Sequence, residues 1–300
     1  MANQKNIEAT YDYMDDIFQE SIGRNSDISC AMYNGDFSLS LEEAQKAKHD
    51  FILNVLNFKK GDKILDIGCG WGPVLKAVKE NGGEGVGLTL SPAQAQACAA
   101  SGLVAHIKDW KEIKADEFEK FDGITVVEPF EHFCSKREML ESKQDEIYNR
   151  FFKLCYTLLK PHGRLYLQTM VWGKKVPRAE DLNVSAPKLS DAWVIGHLDK
   201  FYPESWLANG KDHIEKCAQP FFTTVLADDG RVDYIQTMKE FGKRTSKFSF
   251  KKTASILRLL PKYISDKNFR YQITSFRYSC NRLCFERDLM RLPRMVLEAN

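Results

Sequence analysis

Two places in the sequence concentrate residues able to do chemistry. The first is ITVVEPFEHFC, Ile124 to Cys134, where an apolar, β-branched run ends in Glu128, Glu131 and His132. Carboxylates and an imidazole this close together can hold a cation or move a proton near neutral pH. In open α/β sheets ligands bind at the carboxyl ends of the strands, which is a physical reason for polar residues to follow a buried run. The second is LDIGCGWG, Leu65 to Gly72, with glycines at 68, 70 and 72. Glycine lets a backbone turn sharply and lets a ligand come close to it. The spacing is G-x-G-x-G, not the G-x-G-x-x-G of dinucleotide folds, and no G-K-[ST] phosphate cradle is present. Asp66, just before the loop, is placed to orient backbone or to meet a positive ligand group.

The elements around these residues alternate. KGDKILDIGCGWGPVLKAVKENGG reads as turn, strand (Lys63–Ile67), glycine loop, helix (Pro73–Glu80) and glycine stop. EGVGLTL is a second strand, and SPAQAQACAASG a helix with a Ser cap and Pro at its first position. LVAHIKDW and FDGITVVE are a third and a fourth strand, QDEIYNRFFKLCYTLL is a helix, and RLYLQTMVWG is a fifth strand. Such alternation predicts an α/β fold with a parallel, doubly wound sheet. After residue 173 the pattern changes: an aromatic-rich stretch, then a strand and helix in TTVLADDGRVDYIQTMKEF, then basic helices, then LPRMVLE as a final strand. The first sixty residues read as amphipathic helix, with a serine cap and first-turn acids in SLSLEEAQKAKHDFILNVLNF.

Bulk composition narrows the function classes. The chain has 300 residues and a formal net charge of +2, so charge makes no overall case for nucleic acid. Eight cysteines, at 30, 69, 98, 134, 155, 217, 280 and 284, form no C-x-x-C pair. Free thiols and no structural metal site are expected. No apolar signal region and no 18-residue apolar run is found, so a cytoplasmic protein is expected.

The D-x-G-x-G-x-G form of the loop points to a methyltransferase that uses S-adenosylmethionine. ILDIGCGWG resembles the cofactor loop of class I methyltransferases. ISCAMYNGDFSLSLEEAQKAK, GLTLSPAQ, FEHF and DYIQTMKEF, in that order, resemble the cyclopropane-fatty-acid synthase and mycolic-acid cyclopropane synthase family, from about residue 25 to the C-terminus. The resemblance implies a Rossmann-like sheet of seven strands with the last antiparallel, N-terminal helices and a helical acceptor-site insertion. It implies one methyltransferase domain over 1–300: a helical cap (1–60), a cofactor-binding core (61–173), and the acceptor insertion with the C-terminal elements (174–300). It also implies that Ile28 and Ser29 border the cofactor. Gly68, Cys69, Gly70, Trp71 and Gly72 would hold its amino-acid part, with Asp66 also counted at the cofactor, Thr89, Leu90, Ser91 and Gln94 its ribose, and Asp109 and Trp110 its adenine. The second strand has no acid at its end to take the ribose hydroxyls, and Gln94 can fill that role.

The implied reaction is methyl transfer to the alkene of an unsaturated lipid or acyl chain, giving a cyclopropane or a methyl branch. Family members hold a bicarbonate ion as base, and the matching positions are Cys30, through its backbone, Val127, Glu131, Gln168 and Tyr234. Two departures fall at the base. Gln168 stands where the family carries His, and Gln cannot carry a proton. Glu128 stands where it carries Gly. The sequence therefore leaves open whether bicarbonate or Glu128 takes the proton. A second chemistry is open too. Glu128-Pro129-Phe130-Glu131-His132 is similar to the Glu-x-Phe-Glu-His of alkaloid N-methyltransferases on this scaffold, where carboxylate and an imidazole near neutral pKa hold an amine. The same residues thus also suit a natural-product N- or C-methyltransferase. Finally, residues 241–271 carry nine basic residues against one acid, Asp266, with interleaved apolar residues. That pattern suits an anionic membrane surface or an acidic acyl carrier protein.

Overall fold

The computed structural model describes residues 21–114 and 116–300, the side chain of Lys251 excepted. The amphipathic reading of the first twenty residues lies outside them. Seven strands form the main sheet: β1 (Lys63–Ile67), β2 (Glu84–Thr89), β3 (Val104–Ile107), β4 (Phe121–Val127), β5 (Leu159–Gln168), β7 (Phe222–Asp229) and β9 (Pro293–Ala299). Their order is β3-β2-β1-β4-β5-β9-β7. β3, β2, β1, β4 and β5 run parallel, and β9 is antiparallel to both β5 and β7. The expected Rossmann-like class I methyltransferase sheet, with its last strand antiparallel, is therefore present.

The sequence explains the central strands. β1, β4 and the end of β5 are near-continuous apolar runs, as strands covered on both faces must be. Leu65, Ile124, Val126, Leu165 and Leu167 are buried in one core with Phe151, Phe152 and Cys155 of α5 (Gln144–Leu158). On the other face Ile64 packs with Ile52 and Leu56, at the end of α1 (Leu41–Val55), and with Val74 and Val78 of α2 (Pro73–Glu80). A Ser40–Glu43 capping box starts α1. Ser91 caps α3 (Pro92–Ala100) and Pro92 sits at its first position, as the sequence predicts.

Two features depart from the sequence reading. RLYLQTMVWG is not one strand. β5 ends at Gln168, and β6 (Val171–Trp172) pairs with β8 (Met290–Arg291) in a separate two-stranded sheet. The last ladder pair is Gln168 with Arg294; next along β9 comes Pro293, which has no N–H to donate. Thr169 still donates its N–H to the Pro293 carbonyl at 3.3 Å, but Pro293 returns no bond and the ladder stops there; on the β4 side the N–H of Met170 goes to the Glu131 carboxylate. Within residues 22–60, the helix read over the first sixty is confined to Leu41–Val55, with 22–40 in turns and loop. The helical insertion implied after residue 173 includes α6 (Asp191–Phe201), capped by Ser190. Further α-helices are α4 (Lys136–Leu140), α7 (Lys211–Ala218), α8 (Arg231–Thr245), α9 (Phe250–Ser265), α10 (Lys267–Arg277) and α11 (Cys280–Glu286). Trp193, Ile195 and Leu198 of α6, Tyr234 of α8 and Phe285 of α11 form a second core beside the carboxyl edge of the sheet.

Strand order reverses between β1 and β4, which places the switch point between the glycine loop after Ile67 and the Glu128 segment after Val127.

Candidate active site

At that switch point the glycine loop is held tightly. The N–H groups of Gly68 and Cys69 both donate to the Leu88 carbonyl, each at 2.9 Å. Gly68 has φ +83°, and a Cβ there would lie 2.5 Å from Cβ of Pro129. This is the contact that brings the glycine loop against the EPFEH segment. Gly70 has φ +55° with nothing within 4 Å of a would-be Cβ, so its backbone is open to a ligand.

Both segments border one cavity of about 1120 Å³. Of the residues named from the sequence, Ile28, Ser29, Gly68, Gly70, Thr89, Leu90, Ser91, Gln94, Asp109, Trp110, Val127, Glu128, Glu131, His132 and Tyr234 border it. Thr89 Oγ1 donates to Gln94 Oε1 at 2.7 Å, which holds the Gln94 amide at the end of β2. Trp110 is wedged between Phe133 and Phe151, with ring centroids 5.1 and 5.2 Å away, so its packing and its place on the cavity coexist. Ser29 is fixed from behind: its N–H and Oγ reach Asp27 Oδ1 at 3.0 and 2.6 Å, while Lys48 and His49 hold Asp27 Oδ2 at 2.6 and 2.8 Å. These contacts tie the Ile28–Ser29 stretch to α1.

Asp66, Cys69, Trp71, Gly72, Cys30 and Gln168 do not border the cavity. Asp66 is buried against β4, accepts from Thr125 Oγ1 at 2.8 Å, and is pushed up to about 7 by burial. It braces β1 against β4. Cys69 points its sulfur toward Gly87 on β2, where a Cβ would lie 2.6 Å from it.

The acceptor end differs most from expectation. Glu128 has φ +64°, a conformation that costs a non-glycine residue free energy and persists where the surroundings enforce it. Its N–H donates to the Gln168 carbonyl at 2.8 Å, extending the β4–β5 ladder by one step. Its Oε1 accepts from the Cys30 N–H at 2.9 Å and from Gln168 Nε2 at 2.8 Å. Gln168 has little left to offer: Nε2 also donates to the Cys30 carbonyl, and Oε1 accepts from Tyr166 Oη at 2.9 Å and Arg294 Nε at 3.2 Å. Arg294, buried in β9, is held in turn by Asp233 at 2.7 Å and the Ala31 carbonyl at 3.0 Å. The backbone donor of Cys30 and the amide of Gln168 therefore serve Glu128 and are not open to a separate ion.

Glu131 is buried, its Oε1 takes the Met170 N–H at 2.5 Å, and its Oε2 has no partner. Burial, then the nearby Glu128 charge, pushes it up to about 8, so it holds a proton at neutral pH. Burial also raises Glu128, opposed by the Cys30 N–H, Lys48 and Gln168. Of the two carboxylates Glu128 has the donors that favour the ionised form. Burial pushes His132 down to about 4, below the near-neutral value expected from the sequence. It stays neutral, with Nδ1 and Ser205 Oγ 2.7 Å apart. Tyr234 borders the cavity with its ring stacked 3.9 Å from Phe285.

Sequence reasoning missed several supports. Ser205 is brought to His132 by a short bridge between Ser135 and Ser205 that no local pattern announces. Arg294 did leave a signal, a lone arginine inside the buried strand LPRMVLE. Beyond Glu128, Glu131 and His132 the cavity wall is largely apolar, with Trp172, Ile195, Leu198, Phe201, Trp206 and Met290. One group with metal-ligand chemistry exists among the described residues, Asp145, His213 and Cys217. His213 Nδ1 accepts the Asn209 N–H at 3.1 Å, so Nε2 carries the proton and donates to Asp145, which leaves no ring nitrogen free for a metal.

Comparison with known proteins agrees with this geometry. A model of the family described as mycolic acid cyclopropane synthetase matches residues 1–281. Cyclopropane mycolic acid synthase 3 of Mycobacterium tuberculosis is 33% identical over 245 residues, 78% of this chain and 79% of that protein. Hydroxymycolate synthase MmaA4 of the same organism is 34% identical over 246 residues, 79% of this chain and 77% of that protein. Among solved structures, the cyclopropane synthase MmaA2 from Mycobacterium tuberculosis superposes with a TM-score of 0.74 at 21% identity, covering 99% of this chain and 98% of that one. Coclaurine N-methyltransferase shares the fold with a TM-score of 0.69 at 17% identity, covering 95% of this chain and 78% of that one. With the loop, the sheet order and the sequence matches in agreement, this chain belongs to the mycolic acid cyclopropane synthetase family of S-adenosylmethionine-dependent methyltransferases.

Proposed function

We propose that the protein methylates an alkene carbon of an unsaturated acyl or lipid chain, giving a cyclopropane or methyl-branched product. The observation that carries this reading is the continuity of the cavity: one space runs from Gly68 and Gly70 past Glu128 to an apolar wall of Trp172, Leu198 and Trp206. Its volume, about 1120 Å³, exceeds the roughly 300–1,000 Å³ of an ordinary single-ligand pocket. Cofactor and acceptor chain can share it. The relatives' names, cyclopropane mycolic acid synthase and hydroxymycolate synthase, point to the same class of acceptor.

For the cofactor, the open Gly70 backbone, the Gln94 amide and Trp110 fit S-adenosylmethionine, with Ile28 and Ser29 above, Thr89 to Ser91 at the ribose and Asp109 at the base. Bound there, it supplies an electrophilic methyl group. In this reading 61–173 holds the cofactor, and the flanking segments of the same 1–300 domain close over the acceptor. The apolar wall excludes water from an electron-deficient carbon. Glu128 takes the proton the acceptor loses, Glu131 stays protonated beside it, and Tyr234 offers a phenol. A bicarbonate ion does not fit the residues present: its expected donors at Cys30 and Gln168 are spent on Glu128, and two carboxyl groups already occupy this end. We therefore assign the base to the chain itself.

Two carboxyl groups and an imidazole also suit an amine acceptor, which is the second reading. Lipid extracts and small-molecule fractions from cells with and without the protein, analysed by mass spectrometry, separate the two. The acyl reading expects unsaturated chains one CH₂ heavier in the lipid fraction. Unchanged lipids with a methylated amine would transfer the assignment to the second reading. The basic 241–271 segment is, in this proposal, the side on which a lipid surface or an acidic carrier meets the protein.

A further inference from the structure

Helix α9 is built inside out. Its inward positions are polar: Lys252 and Ser255 are buried, and Lys252 Nζ donates to the Arg244 and Thr245 carbonyls at 2.9 and 3.1 Å. Its outward surface carries an apolar stripe beside the exposed Thr253, Arg258 and Ser265. Ile256, Leu257, Leu260, Tyr263 and Ile264 are 58, 63, 49, 41 and 69% exposed. They fall at i, i+1, i+4, i+7 and i+8, one continuous stripe on a helix. Phe250, 84% exposed, and Phe248 before it extend the stripe as a pair of rings 5.0 Å apart. Large apolar patches of this kind on a surface mark an interaction site.

The charges around the stripe define the partner. Lys247, Lys267 and Arg270 lie in this segment, and Lys243 at its edge is paired with Glu240. The one acid there, Asp266, is spent capping α10, accepting from the N–H groups of Asn268 and Phe269 at 2.8 and 3.1 Å. Two copies meeting through this face would bring like charges together. An acidic carrier would answer the charge but leave the apolar stripe in water. A bilayer with anionic headgroups satisfies both.

Position links the stripe to the site. Lys252 pins α9 to the C-terminal end of α8, where Phe241, Thr245 and Ser246 border the cavity, and Phe276 of α10 borders it from the other side. We propose that α9 is a membrane-docking helix, burying its apolar stripe in an anionic bilayer so that the cavity edge formed by α8 and α10 meets the lipid. This rests on the acyl-acceptor reading and names where that acceptor is drawn from.

The test uses the full chain in co-sedimentation with vesicles of phosphatidylcholine alone or mixed with phosphatidylglycerol. Binding is expected to the anionic vesicles, to weaken with added salt, and to drop roughly tenfold or more in Leu257→Asp/Ile264→Asp. Both substituted residues are exposed, so the variant should keep the thermal midpoint and cofactor affinity of the parent. Methyl transfer to an unsaturated acyl substrate dispersed in detergent should be equal in the two proteins, while transfer to vesicle lipid falls in the variant. Equal binding to neutral vesicles, no vesicle binding, or full binding by the variant overturns the proposal. So does a dimer, seen by ultracentrifugation, that the variant abolishes. Vesicle binding without any methylated lipid would instead overturn the acceptor reading and leave docking in place.

Discussion

Glu128 and Glu131 are three residues apart and are asked to do different things. Glu131 is buried with one N–H donor and an unpartnered oxygen; Glu128 has two donors and a strained backbone that aims it. Glu128→Gln should cut turnover by about 10²-fold or more, with cofactor affinity retained in calorimetry. Unaltered turnover would remove Glu128 from the chemistry. Glu131 gives a pH prediction. Its folded-state value, about 8, lies above its ordinary 4.5, so the folded protein keeps a proton the unfolded chain releases in that window. Its contribution to stability therefore falls as pH rises from about 4.5 to 8, by up to about 1.4 kcal/mol per pH unit. Glu131→Gln should lose that slope in denaturant titrations compared with the parent, and should also lose activity. The sequence exposed these carboxylates because polar residues break an apolar run. It could not show that burial takes His132 out of the neutral range, since that depends on side chains distant in the chain such as Tyr202 and Ser205.

At the scale of elements, the site is supported by strands that do not touch the cavity. Arg294 on β9 holds Gln168, Asp233 and the Ala31 carbonyl, and through Gln168 it positions Glu128. Arg294→Met leaves Asp233 buried without its cation and should cost about 3–5 kcal/mol, measurable by chemical denaturation. The glycine loop separates two effects. Gly70→Ala has open space and should cost only about 1 kcal/mol while weakening cofactor binding. Gly68→Ala must displace Pro129 and with it Glu128, so stability and turnover should fall together. The parallel strands and their helices were legible because each carries its own periodicity and caps, Lys63–Ile67 and Pro73–Glu80 among them. The break after Gln168 was not legible. It follows from Pro293, more than a hundred residues later, sitting where the next ladder donor would be needed.

For the whole molecule, topology turns separate signals into one site. The order β3-β2-β1-β4-β5 brings the loop after β1 beside the end of β4, and the antiparallel β9 supplies Arg294 behind both. The apolar side of the cavity is made by segments beyond residue 173, where periodicity faded, so its shape was hidden although its aromatic content was visible. No helix among the described residues is long and apolar enough to cross a membrane. Cofactor binding to the folded protein should raise its melting temperature with concentration, as any ligand selective for the native state does. A midpoint unmoved by a large excess of S-adenosylmethionine would count against the loop assignment. In the proposed reaction Glu128 is the built-in base for methyl transfer to an unsaturated chain. The most direct test incubates purified protein with methyl-labelled S-adenosylmethionine and unsaturated lipid, with and without added bicarbonate, and reads label in the lipid. Labelled chains at a rate indifferent to bicarbonate, and lost in Glu128→Gln, are the predicted result; label that depends on bicarbonate and survives in Glu128→Gln would contradict it.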